Sequence, residues 1–269
     1  MRATALNGYL LHQRPYQEKR AIYQFFSYEK GVVHGIGGRG MPLFTPIWLM
    51  SSGTKSLKSF GQISLGFSDE FVRQLTAQSN EAAYHPASYG LMTGRVQYAL
   101  LYMNEILDKL LATESPCPKL WQVYHTNMTK LHALDRLSLM AVDKMQAMKL
   151  YLRSFERGLF SELGVMMDFC VDGHGVPINA DAMYCFIPQM GFMLAHLVRT
   201  QIDPKIRFDG VCYTGSQILQ MGAAMEEPEL ALEFLDQFSQ IQKAVLDNLL
   251  NHQPLHSRTL WQQSIQYLQ

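Results

Sequence analysis

The residue periodicity of this 269-residue chain changes once, near residue 67, and that change limits the folds open to it. Before it lie five short runs rich in β-branched, aromatic and aliphatic residues, at 5–12, 20–27, 32–36, 43–50 and 57–65, with Gly, Pro or Ser clusters between them. Tyr28-Glu29-Lys30-Gly31 and Ser51-Ser52-Gly53-Thr54 read as tight turns. Five strands with no helical period between them predict a small closed barrel of the OB or SH3-like kind, because an open sheet of that size leaves its edges unpaired.

After Phe67 the apolar residues recur at steps of three and four. Val96, Leu100, Met103, Leu107, Leu110 and Leu111 mark one helix. A second opens near Pro118, whose fixed φ suits a first turn, and carries Leu120, Tyr124, Met128, Leu131 and Leu134. A third covers about 138–163 with Val142, Met145, Met148, Leu152, Phe155 and Leu159, and the three are expected to form a bundle. Residues 164–181 read as a loop, followed by a short helix near 214–221. A last long helix is expected to start at Pro228, with Glu226, Glu227 and Glu229 near the positive end of its dipole, and to run through Leu235, Phe238, Ile241, Val245 and Leu249 until Pro254. The expected class is α+β: a five-stranded barrel domain over 1–70, a helical domain over 71–165, and a mostly helical C-terminal region over 166–269 packed on it.

Charge is scarce, at 17% of residues, so its placement is informative. The whole chain is neutral, but residues 1–60 hold Arg2, Arg14, Lys19, Arg20, Lys30, Arg39, Lys55 and Lys58 against Glu18 and Glu29. Tyr9, Tyr16, Tyr23, Phe25, Tyr28 and Trp48 are interleaved with these cations. Cations that displace counterions from phosphates, beside rings that stack on unpaired bases, are what a barrel needs to bind nucleic acid. Arg14, Tyr16, Lys19, Arg20, Arg39, Lys55 and Lys58 are the candidate DNA contacts. A barrel whose aromatics are core and whose charges are merely solvated fits the composition equally well.

Other signals are weaker. Gly35-Ile36-Gly37-Gly38-Arg39-Gly40 spells a dinucleotide fingerprint, yet Met41-Pro42-Leu43-Phe44-Thr45-Pro46 cannot begin the helix such a site requires, so the segment reads as a flexible loop on the β module. Asp168, Cys170, Asp172, His174 and Asp181 lie close together, but only Cys170 and His174 resemble a ligand pair, and a polar loop is the expected reading. No hydrolase or phosphate-loop motif is present, so no catalytic residue, metal or cofactor is expected. The sixteen methionines are read as core, with an adaptable partner groove as the alternative. Cys117, Cys170, Cys185 and Cys212 are few and irregularly spaced, which suits free thiols. The N-terminus meets polar residues at once, and the uncharged run 182–198 is broken by Pro188, Gln189, Gly191 and His196, so a cytoplasmic protein with no membrane partner is expected.

Leu10-Leu11-His12-Gln13-Arg14-Pro15-Tyr16-Gln17-Glu18, followed by Phe25-Phe26-Ser27-Tyr28-Glu29-Lys30-Gly31, resembles the opening of the RecO family of recombination mediators. Leu101-Tyr102-Met103-Asn104-Glu105-Ile106-Leu107, Leu152-Arg153-Ser154-Phe155-Glu156 with Leu163-Gly164, Tyr213-Thr214-Gly215-Ser216-Gln217 and Leu255-His256-Ser257-Arg258-Thr259-Leu260 resemble the same family in the same order, so the likeness covers nearly the whole chain. The resemblance implies an N-terminal OB barrel, a helical bundle and a smaller C-terminal region. It implies binding of single- and double-stranded DNA, annealing of complementary strands and, with RecR, loading of RecA onto DNA coated by single-stranded DNA-binding protein. It also implies capture of that protein's acidic C-terminal tail by the helical part. Arg153 then matches a basic family position suited to the tail's carboxylates, with Lys149 and Arg157 one turn away on either side. The chain departs from the family in a short loop after the third strand, with Arg39 as its one cation, and in lacking the second cysteine pair of zinc-binding members. The other readings are an adaptor that binds the acidic peptide with little DNA binding and, more remotely, an enzyme built on the loop from Asp168 to Asp181.

Overall fold

The computed structural model describes residues 3–78, 94–201, 211–225 and 228–266. Arg2, Glu226 and Glu227 lie outside the described residues, as does the Glu229 side chain. The chain gathers into two compact units, Met1–Leu139 with Leu255–Gln269, and Met140–Pro254.

In the first unit β1 (Thr4–Tyr16), β2 (Arg20–Ser27), β3 (Gly31–Gly38), β4 (Ile47–Ser52) and β5 (Leu57–Leu65) close a barrel in the order β1-β2-β3-β5-β4. All pairings are antiparallel except β3 with β5. This is the Greek-key order of an OB barrel. Alternate residues point inward, so Leu6, Leu10, Tyr23, Phe25, Val33, Ile47, Leu49 and Phe60 fill the interior. A register shift between Leu10 and His12 bends β1, which then runs on to Tyr16. The segment read as a flexible glycine loop is strand through Gly38. Gly35 is there for space: a Cβ would sit 2.4 Å from the Phe60 ring.

The opposite face of β1 and β2 is covered by helices. Tyr9 and Phe26 meet Tyr124 of α3 (Pro118–Arg136) edge to face at 5.4 and 5.5 Å, and Trp121 Nε1 donates to the Phe26 carbonyl at 3.2 Å. Asn104, on α2 (Arg95–Leu110), donates to the carbonyls of Leu10 and Leu11 at the bulge and accepts from the Tyr124 hydroxyl. Those contacts satisfy backbone groups that the bulge removes from the β ladder. Phe67 and Phe71, the latter on α1 (Asp69–Gln78), complete the aromatic cluster around Trp121. The chain returns at its end: α9 (His256–Gln266) packs on α2, and the Glu105 carboxylate accepts from His256 N, Ser257 N and Ser257 Oγ. A side chain from another helix thus caps the N-terminus of α9.

The second unit contains α4 (Ala141–Glu162), which packs on α7 (Pro228–Glu233) and α8 (Leu235–Leu249). The residue period runs without interruption through α7 and α8, but Phe234 leaves helical geometry between them, so the single helix expected from Pro228 is two. A three-stranded sheet in the order β7-β6-β8 was not read from the sequence: β6 (Met183–Ile187), β7 (Gly191–Leu194) and β8 (Cys212–Thr214). Within the same unit, α5 (Ala195–Gln201) follows β7, and α6 (Gly215–Ala224) opens with a reciprocal Thr214–Gln217 capping box. The β6–β8 register sets Cys185 opposite Cys212, and the two are disulfide-bonded, against the expectation of free thiols; Cys117 and Cys170 form no disulfide among the described residues. No helix among the described residues is long and apolar enough to cross a membrane.

Candidate nucleic-acid interface

The β1–β2 register determines which cations share a face. Tyr16 pairs with Arg20 and Arg14 with Ile22, and residues directly opposite in an antiparallel pair point the same way. His12, Arg14 and Tyr16 on β1 therefore form one outer row, beside Arg20, Ile22 and Gln24 on β2 and His34 and Ile36 on β3. All of β1 from His12 onward is exposed, and Lys19 stands in the hairpin turn, next to Glu18.

Arg39 belongs to the same end of the barrel. Its Nη2 donates to the Gln17 carbonyl at 2.7 Å, its Nε to the Arg20 carbonyl at 3.2 Å, and its backbone N–H to Lys19. The guanidinium stays exposed, so Arg39 both fastens the hairpin tip and adds a charge there. Arg14, Lys19 and Arg20 meet no acidic partner among the described residues.

Two of the expected cations stand elsewhere. Lys55 is exposed in the β4–β5 turn, and the strand register places that turn toward the His34 end of β3, away from the hairpin tip. Lys58 is bound to Glu114, with Nζ 2.7 Å from Oε1 and only 14% of its side chain exposed, so its charge is offset within the protein. The ring pattern also needs correction. Tyr9, Tyr23 and Phe25 are fully buried, Tyr28 packs on Phe71 and Trp121, and Trp48 is half-buried; Tyr16 is the exposed ring of the set. Alternation turns Tyr23 and Phe25 into the barrel, whereas Tyr9 and Tyr28 are covered by the helices, and composition conveys neither.

On α4, Lys149, Arg153 and Arg157 repeat every four residues and share one face. Each is already engaged within its unit. Lys149 Nζ lies 3.3 Å from Asp236, Arg157 donates to the Met225 carbonyl at 2.8 Å, and Arg153 contacts Glu156 at 2.5 Å and the Ser239 carbonyl at 3.4 Å. Glu156 is wholly buried, and the buried Nε of Arg153 meets no acceptor among the described residues.

The acidic loop is structural. Asp168 accepts from the backbone of Cys170 and Val171, and Asp172 from that of His174 and Val176, so both carboxylates serve as turn formers. No group of three metal-ligating side chains converges among the described residues.

Sequence comparison finds relatives over most of the chain. No family model matches the chain. The DNA repair protein RecO of Pseudoalteromonas atlantica is 29% identical over 275 residues, covering 98% of this chain and 96% of that protein. The RecO of Pseudomonas paraeruginosa is 29% identical over 78% of this chain and 77% of its own length, and that of Vibrio cholerae 28% identical over 95% and 92%. Fold and surface together define an OB-barrel protein with a cationic hairpin and a largely helical remainder. Over most of its length the chain is similar to these DNA repair proteins named RecO.

Proposed function

We propose that this protein is a DNA-binding recombination mediator. The observation that carries the reading is the clustering of Arg14, Lys19, Arg20 and Arg39 at one end of the barrel, with Glu18 as the neighbouring acid. Such a face holds phosphates by counterion release, and with Tyr16 as its exposed ring, charge contributes more than stacking. Bound to single or double strands, the protein brings complementary strands together and, with RecR, helps load RecA onto DNA coated by single-stranded DNA-binding protein. The mechanism is placement, with no covalent step and no cofactor, and it operates in the cytoplasm on nucleoid DNA.

The acidic tail of the coating protein binds α4 in this reading. The unsatisfied Arg153 Nε supports that assignment, since a carboxylate there would meet a buried donor, with Lys149 and Arg157 as flanking charges. The same observation favours the second reading, an adaptor in which peptide capture outlasts DNA binding.

Annealing of complementary labelled oligonucleotides, together with titration of the tail peptide, separates the two. A mediator accelerates annealing, loses this on Lys19→Glu/Arg20→Glu, and loses peptide but not DNA on Arg153→Ala. An adaptor binds peptide and leaves annealing at its spontaneous rate, which would overturn the proposal.

A further inference from the structure

The first unit holds a cavity of about 290 Å³ between the β1 bulge, α2 and α9. It is near the small end of the range for ligand pockets, which suits a single ring system. Its walls are largely apolar, from Leu11, Leu101 and Leu260. Two of its polar lining groups are already committed: the Asn104 amide to β1 and Tyr124, and the Glu105 carboxylate to the start of α9. Asp108 is different. Its Oδ1 is buried and meets no hydrogen-bond donor among the described residues. A shielded carboxylate oxygen with no donor is an expensive group to bury, and it invites a ligand N–H.

The cavity adjoins the cationic face. His12 lines it and heads the row His12, Arg14, Tyr16, whose members repeat at about 6.6 Å along β1. A strand whose phosphates lie along Arg14 and Arg20 therefore reaches the cavity mouth at His12. We infer that this cavity takes one unstacked base of a bound single strand, and that Asp108 accepts a hydrogen bond from the base's exocyclic amine. The inference rests on the DNA-binding reading above and adds to it a base preference. Cytosine presents an amine donor where thymine presents a carbonyl, so the pocket favours cytosine over thymine at the position it holds. Desolvation pushes the Asp108 carboxyl above its usual range, with His12, His34 and Lys109 acting the other way and Glu105 adding to the rise. That balance agrees with a carboxyl shielded from water.

The test is fluorescence anisotropy of the full chain with labelled dC12 and dT12, comparing the natural protein with Asp108→Ala and Leu260→Trp. The first variant removes the acceptor and the second fills the cavity. The natural protein is expected to bind dC12 about tenfold more tightly, the discrimination of one hydrogen bond to a charged group. Both variants should bring the ratio close to one while keeping dT12 affinity and its salt dependence. Equal affinity for the two strands in the natural protein, or a preference that survives both variants, overturns the pocket alone. Failure to bind either oligonucleotide overturns the parent reading and the pocket together.

Discussion

Acidification should destabilise the first unit through two largely buried histidines. Burial lowers the pKa of His125 to about 4, and His132 falls to about 4 for the same reason, with Arg136 assisting and Asp135 and the Phe44 carbonyl opposing. His125 lies in the aromatic cluster with Nδ1 2.7 Å from the Tyr9 hydroxyl, and His132 Nε2 donates to the Phe44 carbonyl at 3.1 Å. Both rings fold neutral, so between pH 6.5 and 4 the unfolded chain binds protons that the native state does not, and stability falls with pH. A group shifted from 6.5 to about 4 removes about 2 kcal/mol per histidine at pH 5, hence at most about 4 kcal/mol for the pair, a large share of an ordinary domain's stability. Glu105, held below its usual range by its bonds to α9, adds to the acid loss, whereas Glu29 and Asp108, raised by burial, act in the opposite sense. Urea unfolding at pH 7 and pH 5 should therefore compare the natural protein with His125→Asn/His132→Gln, whose amides can take over the two hydrogen bonds without titrating. The variant should lose several kcal/mol less on going to pH 5. An equal loss in both proteins would refute the assignment of the acid sensitivity to these rings.

Gly35→Ala should lower stability by about 1–3 kcal/mol in the same assay, because the added methyl meets the Phe60 ring at 2.4 Å inside the barrel; an unchanged midpoint would mean that the ring yields freely. Glu105→Ala removes the acceptor for three donors at the start of α9 and should cost about 1–2 kcal/mol, with protease cleavage appearing first near His256. Glu114→Gln should release Lys58, and if the freed cation reaches DNA the salt dependence of binding steepens by about 0.7 in log–log slope; an unchanged slope would place Lys58 outside the interface.

The barrel was legible because its strands are short, β-rich and separated by turn residues, and the helices α2, α3, α4 and α6 because their periods are clean. Where local pattern and tertiary arrangement part company, the sequence was silent. Tyr184, Cys185, Phe186 and Ile187 are all buried, so β6 has no polar alternation to mark it as a strand. The Cys185–Cys212 bond spans 27 residues and depends on the β6–β8 register, which spacing alone does not convey. The charge balance of the first 60 residues located the cationic module, but not the pairing of Lys58 with Glu114, a residue from beyond that segment. Counting rings likewise could not separate Tyr23 and Phe25, which build the barrel interior, from Tyr16, which faces water. The cavity beside the β1 bulge arises from three segments distant in sequence, and within it Asp108 carried no motif.

The central claim is that phosphates are held by the outer face of the β1–β2 hairpin. The most direct measurement is the log–log dependence of Kd on salt for a labelled single strand, with the natural protein beside Arg14→Glu/Lys19→Glu/Arg20→Glu. Four exposed cations at the tip give an expected slope magnitude of about 3, and the triple variant should bind weakly with a slope magnitude near 1 or below. A triple variant that keeps both the affinity and the slope of the natural protein would contradict the account.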